Sequence, residues 1–310
     1  MLQQTQVKTV IPYYERFLRV YPTLEALAQA DVEEVLDVWA GLGYYSRARN
    51  LHRAVQKVAR EHVGKFPVDY EQALELPGVG RYSAGAVLSI AHGLPFPVLD
   101  GNVSRILARY LKIEKPVKGP IVEALWTMLG RVVRNPLVAS RVSEFNQGLM
   151  ELGALVCVPG NPDCPNCPLS RACGAFKDQS QNRLPVKVKR SRVVELSFVS
   201  ALVRRGSEYL MLKNDEGPFL KGFWEFPRVE GTRIDDTSLG RFRETYGLEL
   251  SVIHEMEPVQ HRITFRKLRF QPFEARLLEK LPNQSSSWIQ IGSRGFPMSA
   301  YIRKIMEQVE

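Results

Sequence analysis

The sequence predicts a multidomain protein, an all-α first domain followed by an α+β second domain. Three observations carry this. At 310 residues the chain exceeds what one hydrophobic core usually serves, so two domains are expected. From Val7 to about Phe176 the apolar residues recur at helical spacing. Beyond Arg192 the pattern changes to short apolar runs separated by turn residues. The boundaries follow as 1–177 for the helical domain, 178–194 for a linker and 195–310 for the second domain. No internal repeat of solenoid period interrupts this division.

The first helix carries Val7, Val10, Ile11, Tyr14, Phe17 and Leu18 on one stripe, with Pro12 near its start or kinking it. Asp31 followed by Glu34 reads as a capping box opening a helix through Trp39, which Gly41-Leu42-Gly43 stops. The helix after Ser46 turns Ala48, Leu51, Val55 and Ala59 inward. Its other face holds Arg47, Arg49, Arg53 and Lys57, either a solvated surface or one that meets a polyanion. A short helix begins at Asp69, and a longer one runs from Arg81 to about His92. The linker has no helical stripe, contains Pro185, and gathers Lys187, Lys189, Arg190 and Arg192 within six positions. In the second domain, Ser197–Val203, a turn at Gly206 and Tyr209–Lys213 read as a strand pair, with further strands near 249–254 and 263–277.

A composition of 45% hydrophobic, 9% aromatic and 24% charged residues excludes disordered and fibrous classes. The opening Met1-Leu2-Gln3-Gln4-Thr5-Gln6 has neither a basic nor an apolar signal region, and no apolar run of membrane-spanning length follows. A cytoplasmic protein with no membrane partner is expected. The net charge of +9 points toward a polyanionic partner, because each phosphate neutralised by Lys or Arg releases a condensed counterion.

Three groups of residues carry chemistry. In Leu76-Pro77-Gly78-Val79-Gly80, Gly78 and Gly80 permit φ > 0 and close backbone approach to a ligand, and the helix that follows offers unpaired N–H groups. This is a phosphate clamp or a tight helix–helix corner. Asp100, in Val98-Leu99-Asp100-Gly101-Asn102, precedes a helix bearing Val103, Ile106, Leu107 and Tyr110, where Asp100 or Asn102 would make a good N-cap. Cys157, Cys164, Cys167 and Cys173 follow the spacing C-x6-C-x2-C-x5-C. In a reducing compartment such confinement favours a metal site over two disulfides, and four thiolates satisfy zinc or an iron–sulfur cubane equally well.

The stretch from Leu76 to Gly85, the aspartate about twenty residues past it and the cysteine spacing together resemble the endonuclease III superfamily of helix-hairpin-helix base-excision glycosylases. The resemblance implies a helix-hairpin-helix at 69–92, a [4Fe–4S] cluster on the 157–173 loop, and Asp100 as the carboxylate that stabilises the sugar cation when a base departs. Lyase members place a lysine where Tyr82 stands, and Tyr82 cannot form a Schiff base. Met1-Leu2-Gln3-Gln4-Thr5-Gln6-Val7, Gly41-Leu42-Gly43-Tyr44-Tyr45 and Leu99-Asp100-Gly101-Asn102 resemble the adenine DNA glycosylase (MutY) family. That resemblance covers essentially the whole chain. It implies a monomeric, nucleoid-associated repair enzyme acting on double-stranded DNA with 8-oxoguanine·A or G·A mispairs.

Carried over to this sequence, Gln4 and Tyr44 would wedge into the base stack, with Thr5 and Leu42 near 8-oxoguanine, since flipping a base demands such fillers. Without DNA in view, Gln4 and Thr5 read as a polar helix end and Tyr44 as a packed aromatic. Tyr82 and Asn102 would support the sugar and the attacking water. Gly222-Phe223-Trp224-Glu225-Phe226-Pro227 resembles a strand of the family's Nudix-like C-terminal domain. Nudix hydrolysis needs a glutamate cluster for Mg²⁺, and Arg241-Phe-Arg-Glu-Thr-Tyr-Gly247 lacks it.

Two departures stand out. The family's general acid is a glutamate two residues before the methionine of Met-Leu-Gln-Gln-Thr, which here is Met1, so this chain is expected to bind better than it cuts. A lesion-binding homologue impaired in catalysis is therefore the alternative, and an endonuclease III-like pyrimidine glycosylase with lyase activity a lesser one. The family's Phe-Ser-His loop, which tests for 8-oxoguanine, has its nearest counterpart in His261-Arg262-Ile263-Thr264-Phe265. There Thr264 matches the serine and the histidine is out of place; the stretch also reads as a strand with no ligand.

Overall fold

The computed structural model describes residues 1–3, 5–187, 193–215, 219–263, 265–280, 286–293 and 296–309, apart from the side chain of Lys280. Gln4, Thr264, Lys189, Arg190 and Arg192 lie outside the described residues.

The helical part contains α1 (Val7–Val20), α2 (Leu24–Gln29), α3 (Val32–Trp39) and α4 (Ser46–Glu61). There follow α5 (Tyr70–Leu74), α6 (Arg81–Ile90), α7 (Gly101–Tyr110), α8 (Pro120–Val133), α9 (Pro136–Ala139), α10 (Val142–Glu151) and α11 (Gly174–Lys177). A π-helical turn, Leu152–Val156, extends α10, and a 3₁₀ turn covers Ser170–Ala172. The second part contains β1 (Val194–Arg205), β2 (Glu208–Lys213), β3 (Trp224–Glu225), β4 (Arg228–Glu230), α12 (Asp236–Tyr246), β5 (Leu248–Glu255), β6 (Val259–Ile263), β7 (Arg266–Lys280), β8 (Ser286–Gln290) and α13 (Ala300–Met306). An all-α part followed by an α+β part is therefore observed. Among the described residues no helix is long and apolar enough to cross a membrane.

Compactness does not follow chain order. One unit is Met1–Gln56 together with Ser191–Glu310, the other Lys57–Arg190, and the chain passes between them within α4.

In the first unit, Val10, Phe17, Val35, Leu36, Trp39, Leu42 and Ala48 form one core that also contains Phe223 from the second part of the chain. In the sheet, β1 pairs in parallel with β7 from Val194↔Arg266 to Val203↔Ala275. It pairs antiparallel with β2 and β4, and β5 and β6 pair antiparallel with β7. Because successive side chains point to opposite faces, Phe198 and Leu202 of β1 join α13 residues Tyr301, Ile302 and Ile305 in one core. Val199, Ala201 and Val203 join Phe242 of α12 in another. A strand covered on both faces reads as a near-continuous apolar run, which is how 197–203 reads.

Several expectations are corrected. On α1 the buried residues are Val10 and Phe17, while Val7, Ile11, Tyr14 and Leu18 are exposed, so the inward stripe is narrower than the apolar pattern. α3 begins after Asp31, yet the Asp31 side chain makes no cap hydrogen bond and no capping box forms there. The expected strand at 263–277 is β7, which begins at Arg266 and runs on to Lys280, while Ile263 ends a separate strand, β6, that the sequence did not show. Part of the basic linker is packed. Leu184 and Ser180 are buried, Arg109 Nε donates to Leu184 O at 3.0 Å, and Lys112 pairs with Asp178.

Candidate active site

In the Lys57–Arg190 unit, Asp69 caps α5 by accepting from Gln72 N at 2.9 Å, and the hairpin Leu76–Gly80 leads into α6. Gly78 has φ +77°, a conformation only glycine adopts freely. Gly80 has φ −99° and ψ −179°, so its role is not a positive φ, as its spacing from Gly78 had predicted. It caps α6 without a side chain, and a Cβ there would meet nothing within 4 Å. The first-turn N–H groups of α6 therefore have no side-chain cap from this position, the arrangement that suits an external anion.

Asp100 is the N-cap of α7: its Oδ1 accepts from Val103 N at 2.7 Å. Its other oxygen has no hydrogen-bond partner among the described residues. Cap and chemistry are thus compatible, since one oxygen orients the carboxylate while the other stays open. Tyr82 lies close enough to Asp100 that, after burial, the carboxylate's charge is what raises the phenol pKa; the phenol keeps its proton and donates weakly to Met150 Sδ at 3.3 Å. Asn102 is oriented by Arg105, whose Nη2 donates to Asn102 Oδ1 at 2.9 Å and to Gly153 O at 2.6 Å. At Gly153 an added Cβ would fall 2.6 Å from Asn102 Cβ, so the π-helical turn approaches α7 only because it lacks a side chain there. The structure brings Tyr82, Asp100 and Asn102 together.

The four cysteines line one cavity with Ile106, Leu152, Leu169 and Phe176, and none is in a disulfide. Burial pushes the Cys164 thiol pKa up, and Cys157 and Cys173 add to it. The donors fit a thiolate-bound group. Four cysteines line a largely apolar pocket, and buried Arg109 donates to Cys157 Sγ at 3.2 Å and to Val158 O at 2.9 Å. Arg105 Nε holds Cys157 O at 2.7 Å. Among the described residues no three His, Cys, Asp or Glu side chains are gathered as for a single ion. Sequence reasoning missed Arg105 and Arg109; two arginines four apart on the apolar side of the Asp100 helix were the available signal.

In the other unit, Gly41, Gly43 and Tyr44 take φ of +98°, +74° and +50°. Tyr44 is 43% exposed, whereas Leu42 is 5% exposed and packs into the core. Thr5 is half-buried. Arg47 and Arg49, expected on a solvated or polyanion-facing surface, are instead half-buried, and burial lowers the pKa of each. Arg53 on the same helix is exposed.

A capless hairpin helix followed by an open carboxylate on a second helix defines a class, and residues 1–130 match the family model described as HhH-GPD superfamily base excision DNA repair protein. Curated relatives narrow it. An adenine DNA glycosylase of Buchnera aphidicola (Schizaphis graminum) is 37% identical over 74% of this chain and 65% of that protein. Its counterpart from the Baizongia pistaciae strain is 33% identical over 88% of this chain and 75% of that protein. The Homo sapiens adenine DNA glycosylase is 36% identical over 91% of this chain and 60% of that protein. The chain belongs to the adenine DNA glycosylase family. It spans 65% of the length of the first of these relatives.

Proposed function

We propose that this chain removes adenine from double-stranded DNA where it is mispaired with 8-oxoguanine or guanine, as a monofunctional glycosylase that does not cut the strand. The observation that carries this is Asp100, fixed through one oxygen by the α7 cap and open at the other, beside a tyrosine where a lyase needs an amine. The bond between adenine and the sugar breaks with its electron pair leaving on the base, which takes up a proton. The sugar is left as a cation, and water adds to it and loses a proton. Asp100 stabilises that cation by charge, while Tyr82 and Asn102 position the sugar and the water.

Cys157, Cys164, Cys167 and Cys173 would hold a [4Fe–4S] cluster: the four line one cavity, and their spacing resembles the cluster loop of the endonuclease III superfamily. The cluster supplies a covalent staple for the loop. Backbone N–H groups near Gly78 and Gly80 would take a DNA phosphate. Gln4, Thr5, Leu42, Tyr44 and Thr264 would contact the strand bearing the damaged base, with 195–310 acting as a Nudix-like recognition domain after a basic linker at 178–194. A monomer associated with the nucleoid completes the reading.

Single-turnover incubation with an 8-oxoguanine·A duplex tests it. Adenine release, with strand breaks appearing only after alkali and no borohydride-trapped adduct, is expected. A trapped covalent adduct, or release of a pyrimidine instead, would overturn it.

A further inference from the structure

At the first turn of α4, half-buried Arg47 pairs with no acid among the described residues. Its Nη1 donates to Met1 O at 2.8 Å and to Gln3 O, and its Nη2 to Thr5 Oγ1 at 3.0 Å and to Gly43 O at 3.3 Å. The guanidinium lies 4.9 Å from the Tyr44 ring centre and 5.7 Å from that of Trp39. Trp39 Nε1 donates to the same Gly43 carbonyl at 3.1 Å. One planar cation thus joins Met1, Gln3 and Thr5 to the 43–44 turn, where Tyr44 sits in the left-handed region that a bulky residue enters at a cost. A lysine could keep the charge. It could not span several acceptors in one plane while stacking on a ring.

We propose that Arg47 is a positioning residue that locks the turn bearing Thr5 to the turn bearing Tyr44, so that both side chains enter the DNA as one preset clamp. This rests on reading Thr5 and Tyr44 as DNA contacts. Arg47 itself need not touch DNA. Both of its terminal nitrogens are spent on the protein, which is why it differs from the phosphate-binding arginines expected of a basic helix face.

The test uses the full chain, a duplex with 8-oxoguanine opposite a non-cleavable adenine analogue, the matched undamaged duplex, and 2-aminopurine beside the lesion to report unstacking. For Arg47→Lys, lesion preference should fall about tenfold, the size of one lost charge-assisted contact, and the fluorescence change should shrink. Affinity for undamaged duplex should change by less than about twofold, because the net charge is kept. Adding Thr5→Val to Arg47→Lys should cost less than the sum of the two single losses, since both break the same link. Arg47→Lys with wild-type preference, or losses that add in the double variant, would overturn the proposal while leaving the DNA-contact reading intact. Should Tyr44→Ala and Thr5→Val alone leave preference and fluorescence unchanged, the DNA-contact reading itself fails. Arg47→Met extends the series, and a thermal melt of each variant separates a lost clamp from a lost fold.

Discussion

Phe223 and Tyr45 meet ring to ring with centroids 4.1 Å apart, although they belong to opposite ends of the chain. Phe223 is wholly buried, in the same core as Val10, Phe17 and Trp39. Arg49 lies 6.0 Å over its ring and donates to Lys221 O, and Lys213 pairs with Glu33 at 2.9 Å. Residues 221–223 therefore pack against Tyr45 and Arg49, next to the 41–45 turn.

Phe223→Ala should destabilise the Met1–Gln56/Ser191–Glu310 unit by about 3–5 kcal/mol, the usual cost of emptying a buried phenylalanine site. Denaturant unfolding of the full chain measures it. A loss below about 1 kcal/mol would mean that Phe223 is not part of that core.

Asp100→Asn separates the two roles of this residue. Asparagine caps a helix as well as aspartate does, so the unfolding midpoint should hold. Adenine release should fall by roughly 10²- to 10³-fold, because the anion facing the sugar cation is gone. If release survives in Asp100→Asn, the carboxylate is a cap and nothing more.

Replacing Cys164 with serine should strip iron and inorganic sulfide from the purified protein and abolish its broad visible absorption. Zinc in stoichiometric amount in the unaltered protein, without sulfide, would contradict a cluster. Binding of damaged duplex should weaken with the loss, since Arg105 ties this loop to Asn102 as well as to Cys157.

Burial, with Lys304 adding to it, pulls the His261 imidazole below its ordinary value near 6.5. The unfolded chain then takes up a proton before the folded one does. Stability should accordingly fall as pH drops below about 6.5 and level off once the folded-state pKa is passed. Melting curves between about pH 8 and pH 5 should show this slope in the wild type and a flatter one in His261→Gln. Identical slopes would acquit His261.

Legibility in the sequence tracked the range of the interactions. The hairpin, the α5 cap at Asp69 and the run of β1 were readable because turn chemistry and side-chain alternation are local. Within the α1 pattern, by contrast, Ile11 and Leu18 satisfy helical periodicity as well as Val10 and Phe17 do. Which pair is buried depends on what packs against the helix, and periodicity carries no record of that. Asp31 shows the same limit: it starts a helix, but its side chain forms no cap bond.

By itself the sequence determined the chemistry on offer: four thiolates within one short loop, a carboxylate after a glycine hairpin, and a tyrosine in place of an amine. Covalent spacing and residue type decide those, so no long-range contact was needed to read them. Tertiary structure alone decided that 1–56 shares its core with Phe223, that Arg47 and Arg49 turn inward, and that Arg105 and Arg109 serve the cysteine loop. Each of these is a contact between residues distant in sequence. A charged side chain on a helix looks the same in the chain whether water or a distant carbonyl finally satisfies it.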